Sequence, residues 1–183
     1  MKIIGIQSSP NVDGLTSSLA KAALCGAEST GAEIEMVHLN KIDVGSCLAC
    51  EQGWGTCRTD GTCSTEDDFQ SLREKINSAD ALVFSTPVYF GGLSESAKRV
   101  FDRWRRCEIR DRENSPLRGM HAIGIAAAGG SGGGAVTALR DLEAYLRWLQ
   151  FSIFDLVTVT RRNAEYKLKM LKVAGMKMAE ECQ

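Results

Sequence analysis

The sequence predicts an α/β fold: a parallel sheet of five strands covered by helices on both faces, in one domain spanning 1–183. Short apolar or β-branched runs alternate with segments of helical periodicity, which is the pattern of repeated β-α units. Three of the strand-to-helix handovers are rich in Ser, Thr, Gly or Pro, and open sheets of this kind collect their binding loops beyond the carboxyl ends of the strands. The 183 residues, 44% of them apolar, suffice to bury one sizeable core.

The first strand is the run Lys2-Ile3-Ile4-Gly5-Ile6-Gln7. It passes into Ser8-Ser9-Pro10-Asn11-Val12-Asp13-Gly14-Leu15-Thr16 and then into an alanine- and leucine-rich helix expected to end near Gly31. Glu33-Ile34-Glu35-Met36-Val37-His38-Leu39 alternates polar with apolar and reads as the second strand, with His38 on its polar phase. Residues 40–65 lose periodicity and collect glycine and cysteine, an excursion and not a core element. Helical spacing returns at Asp67-Asp68-Phe69, Leu72 and Ile76, with acids at the front of the helix.

Asp80-Ala81-Leu82-Val83-Phe84-Ser85 is the third strand, ending in Thr86-Pro87-Val88-Tyr89-Phe90-Gly91-Gly92. The helix beyond it carries Leu93, Ala97, Val100, Phe101 and Trp104 on one side. Its arginines, interleaved with Asp102, Glu108, Asp111 and Glu113, read as a solvated face or subunit contact, and Cys107 as an ordinary thiol. After Ser115-Pro116, residues 121–128 form a fourth strand of small residues opening on a structural His121. Gly129-Gly130-Ser131-Gly132-Gly133-Gly134 follows. It reads as a binding loop more than a flexible linker, because it stands where strand hands over to helix and glycine admits close approach to backbone amides. A fifth strand over 151–160 and a final helix over 163–181 complete the chain.

Acidic and basic residues nearly balance, for a net charge of −1, so nothing global points to nucleic acid or to an anionic membrane. No apolar run reaches membrane-spanning length and no secretory signal is apparent, so the expected location is the cytoplasm. Seven cysteines, an odd number, then point to thiols or metal ligands and not to a disulfide framework.

The first loop has neither the Gly-Lys-Ser/Thr ending of a nucleoside-triphosphate loop nor a G-x-G-x-x-G dinucleotide fingerprint. Ser8, Ser9, Thr16 and Ser17 instead surround one small site at a helix N-terminus, which suits a terminal monophosphate; the plain alternative is a hydroxyl-rich cap without a ligand. Tyr89 or Phe90 can lie against a planar ring, and amides of the glycine run can donate to its oxygens. Flavin mononucleotide (FMN) has that shape. A response-regulator reading fails, since Ser8-Ser9 and Ser85-Thr86 stand where it needs acids.

Ser9-Pro10 with Gly14 and Thr16, the 86–91 segment followed by Lys98, Phe101, Asp102 and Arg103, and the 129–134 run together resemble the NADPH-dependent FMN reductase and iron–sulfur flavoprotein family. The resemblance implies a flavodoxin-like three-layer sandwich with strand order 2-1-3-4-5, and homodimers or homotetramers. It also implies an FMN-dependent oxidoreductase fed by NAD(P)H or a protein electron donor. The flavin does the chemistry, so no protein acid or base is expected to be catalytic. By position the FMN contacts would come from Ser9, Asn11, Gly14, Leu15 and Thr16, from Pro87, Val88, Tyr89, Phe90 and Gly91, and from Ala128, Gly129, Gly130 and Gly133. Asn11 and Leu15 depart from the arginine and asparagine frequent in the family, which shifts phosphate binding to backbone amides and Thr16.

Cys47, Cys50, Cys57 and Cys63 lie in the excursion with spacing C-x2-C-x6-C-x5-C. Four thiolates so close suit a 4Fe–4S cluster or a tetrahedral zinc; unligated thiols are the third reading. Iron–sulfur members of the resembled family carry a compact four-cysteine motif here, followed by an acidic pair like Asp67-Asp68. This chain departs from it by inserting 51–56, with Trp54. Three functions follow: an FMN-dependent oxidoreductase, a two-cofactor iron–sulfur flavoprotein electron carrier, and a non-catalytic zinc-bearing interaction module. Cys25 and Cys182 have no cysteine neighbours and are read as bystanders.

Overall fold

The computed structural model describes residues 1–182. Its elements run β1 (Lys2–Gln7), α1 (Leu15–Glu28), β2 (Glu33–His38), the single turns α2 (Cys50–Gly53) and α3 (Thr56–Thr59), α4 (Phe69–Asn77), β3 (Ala81–Pro87), α5 (Glu95–Cys107), β4 (His121–Ala128), α6 (Ala135–Trp148), β5 (Ser152–Thr160) and α7 (Ala164–Glu181). The first helix stops at Glu28, and a turn at positive φ carries the chain through Gly31.

The five strands form one all-parallel sheet in the order β2-β1-β3-β4-β5. This is the predicted flavodoxin-like order. Strands β1, β3 and β4 are buried over nearly their whole length, because helices cover both faces and leave no solvated phase. One face packs Ile4, Leu82, Phe84, Phe101 and Trp104 under α4, α5 and α6. The other packs Ile3, Val83, Ile123, Leu19 and Leu171 under α1 and α7.

Helices α1 and α7 meet backbone to backbone. A Cβ on Gly26 would stand 1.8 Å from the Lys172 carbonyl oxygen, and one on Gly175 would stand 1.9 Å from that of Ala23. The excursion is less detached than its sequence suggests: Val44 enters the core, and Cys57 and Cys63 pack against it.

Candidate functional site

All strands point the same way, so the loops after β1, β3 and β4 emerge side by side at one rim. The order reverses between β1 and β3, since β2 lies on one side of β1 and β3 on the other. Hydrogen bonds tie the first loop to its neighbour. The Ser8 amide donates to the Ser85 carbonyl at 3.0 Å, the Ser94 hydroxyl to Ser8 Oγ at 2.8 Å, and the Ser96 hydroxyl to the Ser8 carbonyl at 2.9 Å. Beneath, Gln7 clamps Ser9 with both ends of its amide, accepting from the Ser9 nitrogen at 2.5 Å and donating to the Ser9 oxygen at 2.9 Å. Gln7 and Ser94 are thus scaffold residues absent from the sequence-derived contact set, and Ser8, read from the sequence as one of the hydroxyls of a phosphate site, instead spends its hydroxyl on Ser94 and the Ser85 carbonyl.

The loop then turns on its own side chains. Ser9 Oγ accepts from the Asn11 amide at 3.2 Å, and Asn11 Oδ1 accepts from the Asp13 amide at 3.1 Å. Asn11 therefore shapes the loop, and Gly14 packs close to its amide group. Helix α1 begins after Gly14 with no side-chain cap, so its first amides are available to an anion. Thr16 and Ser17 are buried there, and the Ser17 hydroxyl has no partner among the described residues. Leu15 packs its side chain against the core, which leaves only its amide for a ligand.

The third loop is a tight hairpin. Tyr89 and Gly92 exchange backbone hydrogen bonds of 3.1 and 3.0 Å around Phe90 and Gly91, at φ +50° and +80°. Positive φ at both central residues is what a type I′ turn demands; for phenylalanine it is strained, a cost that concentrates at functional sites. Phe90 is fully exposed and Tyr89 is 47% exposed. Pro87 ends the buried strand, and the Val88 amide donates to Ala127 at 2.9 Å.

In the fourth loop Gly134, at φ +77°, presses on the third: a Cβ there would stand 2.5 Å from the Gly91 Cα. Gly129 and Gly130 face open space where a Cβ would be, and together with Gly133 they are exposed just past the buried Ala128. The three loops form one rim with uncapped helix-start amides, an exposed aromatic edge and a glycine wall. That donor set fits the phosphate and ring of FMN.

The cysteine loop lies against α5. Cys47, Cys50, Cys57 and Cys63 line one cavity together with Arg103 and Arg106. Among the described residues no three side chains are spaced to hold a metal ion, so the thiols surround a common space without converging on a point. Cys57 and Cys63 are braced by the core, whereas Cys50 sits on a turn whose neighbours Ala49, Glu51 and Gln52 take left-handed backbone. Four thiols around one cavity fit a four-sulfur ligand set in chemistry.

Arg103 does not belong to a solvated face, and Cys107 is not an ordinary thiol but a buried one. Arg103 is 1% exposed and pairs with Asp67 through contacts of 2.5 and 2.9 Å; it also donates to the Gly45 carbonyl and to Cys63 Sγ, both at 3.2 Å. Burial pushes the Cys63 thiol up. Hydrogen bonds from Thr65 and then Arg103 outweigh that and hold it below the ordinary thiol value. Cys107, buried beside the same cavity, is pushed up to about 12, chiefly by burial. Glu108 is buried as well, paired with Arg73 at 2.6 Å and accepting from Ser115 at 2.7 Å. The missed signal was spacing: Arg103 and Cys107 flank the apolar stripe of Val100 and Trp104.

Residues 1–165 match the family described as NADPH-dependent FMN reductase. The chain is 33% identical over 130 residues to the iron-sulfur flavoprotein MJ1083 of Methanocaldococcus jannaschii, covering 71% of this chain and 65% of that one. It is 32% identical over 145 residues to an iron-sulfur flavoprotein of Archaeoglobus fulgidus, covering 79% and 68%. Thus the chain spans about two thirds of these relatives' length, and slightly less for the first. Its fold superposes on the NAD(P)H:quinone oxidoreductase from Methanothermobacter marburgensis with a TM-score of 0.74 over 97% of this chain and 96% of that one; at 19% identity this likeness shows the fold alone. With the family match over nearly the whole chain and the predicted sheet order in place, the chain belongs to the NADPH-dependent FMN reductase family.

Proposed function

We propose that the chain is an FMN-dependent oxidoreductase that passes hydride or electrons from NAD(P)H, or from a protein donor, to an acceptor through the flavin. The observation that carries this reading is the meeting of three loops at one rim, Ser94 on Ser8 and Gly134 against Gly91. FMN, when bound, supplies the redox chemistry itself. The chain's part is to hold and shield it. The first amides of α1, with Thr16 and Ser17, take the phosphate. Tyr89 and Phe90 cover the ring, while the exposed amides of 129–133 donate to its oxygens and favour the charge it gains on reduction.

A homodimer or homotetramer belongs to this reading, supported by the two aromatic side chains, Tyr89 and Phe90, that the rim leaves exposed. A cytoplasmic setting is supported by seven free thiols. Balanced charge supports a small-molecule or protein partner over nucleic acid. Among the described residues no helix is long and apolar enough to cross a membrane.

The test is an FMN titration followed by flavin fluorescence. Losing a hydroxyl hydrogen bond to a phosphate costs about 1.5–3 kcal/mol and losing a ring contact about 0.5–1.5 kcal/mol. The double variant Thr16→Ala with Tyr89→Ala should therefore bind roughly 100-fold more weakly. Unchanged affinity would remove these residues from the site.

A second reading adds a metal–sulfur cofactor, favoured by the four thiols around one cavity. Cys47, Cys50, Cys57 and Cys63 would ligate a 4Fe–4S cluster that exchanges electrons with the flavin. Anaerobic reconstitution should then give brown protein with about four irons per chain. Colourless protein with about one zinc and no flavin uptake would select the non-catalytic module instead.

A further inference from the structure

Four guanidiniums clasp the cysteine loop by its carbonyls. Arg103 holds Gly45, Arg106 holds Gly53, Arg110 holds Asp60 and Arg73 holds Gly61. Two of them do more. Arg103 and Arg106 also wall the cavity that the thiols surround, and each keeps a buried Nε–H with no partner among the described residues. A buried donor left unpaired is costly, and native structures seldom keep one without a reason. Both residues that keep such a donor line this one cavity.

The two residues differ in charge balance. Asp67 neutralises Arg103. Arg106 lies 4.7 Å from the centre of the Trp54 ring and makes no ion pair among the described residues. Its positive charge is therefore uncompensated beside the cavity, and it is held there by the inserted segment that sets this chain's cysteine spacing apart. Sulfur ligands accept N–H hydrogen bonds, and such bonds together with net charge set a cluster's reduction potential.

We propose that Arg103 and Arg106 are positioning residues of the four-sulfur site: Nη1 of each fixes the loop backbone, while Arg103 Nη2, already on Cys63 Sγ, and the two Nε–H groups serve an anionic metal–sulfur group, favouring its reduced state. The inference rests on the iron–sulfur reading above. Arg106 is the residue to test, because removing Arg103 strands Asp67 and threatens the fold.

The experiment reconstitutes the full chain anaerobically with ferrous iron and sulfide, counts iron, and measures the midpoint potential by redox titration of the visible and magnetic resonance signals. Arg106→Met should keep the wild-type iron content. Its reduction equilibrium should shift about tenfold toward the oxidised form, about 59 mV lower for a one-electron couple. Arg106→Lys, which keeps the charge, should recover part of the shift. Loss of iron in Arg106→Met that Arg106→Lys restores overturns the assignment of Arg106 to tuning the potential of an assembled site. A wild-type potential in Arg106→Met overturns the proposal, as does equal loss of iron in both variants. A wild-type chain that takes up no iron overturns the cluster reading and this inference with it.

Discussion

Asp67→Asn is expected to lower stability by about 4 kcal/mol, because it strands the Arg103 guanidinium in a site with almost no water. The two side chains are 1% and 5% exposed and meet through two parallel contacts. The asparagine would also weaken what Asp67 accepts from the amides of Gly45 at 2.9 Å and Phe69 at 3.1 Å. For a domain of this size the loss corresponds to a melting temperature lower by roughly 10 °C.

The same pair predicts a pH dependence. Burial raises the Asp67 pKa, but Arg103 and the Gly45 and Phe69 amides outweigh it and hold the carboxyl below its ordinary value. A folded value below the unfolded one of about 3.9 means that the stabilisation is complete above that pH. It is lost as the pH falls through the folded value. Denaturant melts at descending pH should show wild type and Asp67→Asn diverging fully near neutrality and converging below about pH 4. A constant gap down to the acid limit would contradict this account.

Gly175→Ala is expected to cost about 3 kcal/mol even though alanine is the better helix former. The new methyl would stand 1.9 Å from the Ala23 oxygen and 2.9 Å from its Cα. Both obstacles are backbone, so no side-chain rotation relieves the clash and α1 and α7 must separate. The residues 164–181 that make α7 lie almost wholly beyond the 1–165 family match, yet they brace the helix whose opening turn is proposed to seat the phosphate. Thermal melts should show the loss of stability, and an FMN titration should show weaker binding. Val173→Ala, on the same helix but 53% exposed, should change neither. Wild-type melting of Gly175→Ala would mean that the helices are not in backbone contact.

Much of the fold was legible because it is written locally. The strands announce themselves as a short apolar run such as 81–84 or an alternating one such as 33–38, and the helices by their stripes. The glycine and hydroxyl loops could be placed on one rim because an all-parallel sheet leaves them nowhere else. The arginine clasp was not legible. Arg103 and Asp67 are separated by 36 residues, and the alternation of Arg with Asp and Glu along 98–113 has the composition of a solvated face. Only the packing of the cysteine loop onto α5 buries Arg103 and Glu108, and no local pattern encodes that contact. The left-handed backbone at Ala49, Glu51 and Gln52 was hidden for a related reason: Ala, Glu and Gln do not signal it.

The three rim loops are drawn from distant parts of the chain, around positions 8–14, 88–94 and 129–134. A polypeptide growing from its amino end therefore owns the phosphate seat long before it owns the glycine wall. Most of the ordering entropy of long-range pairing is spent before the ring has anywhere to rest. Ligand capture is in that sense the last act of maturation, and the appearance of flavin colour during refolding would time the completion of the whole sheet.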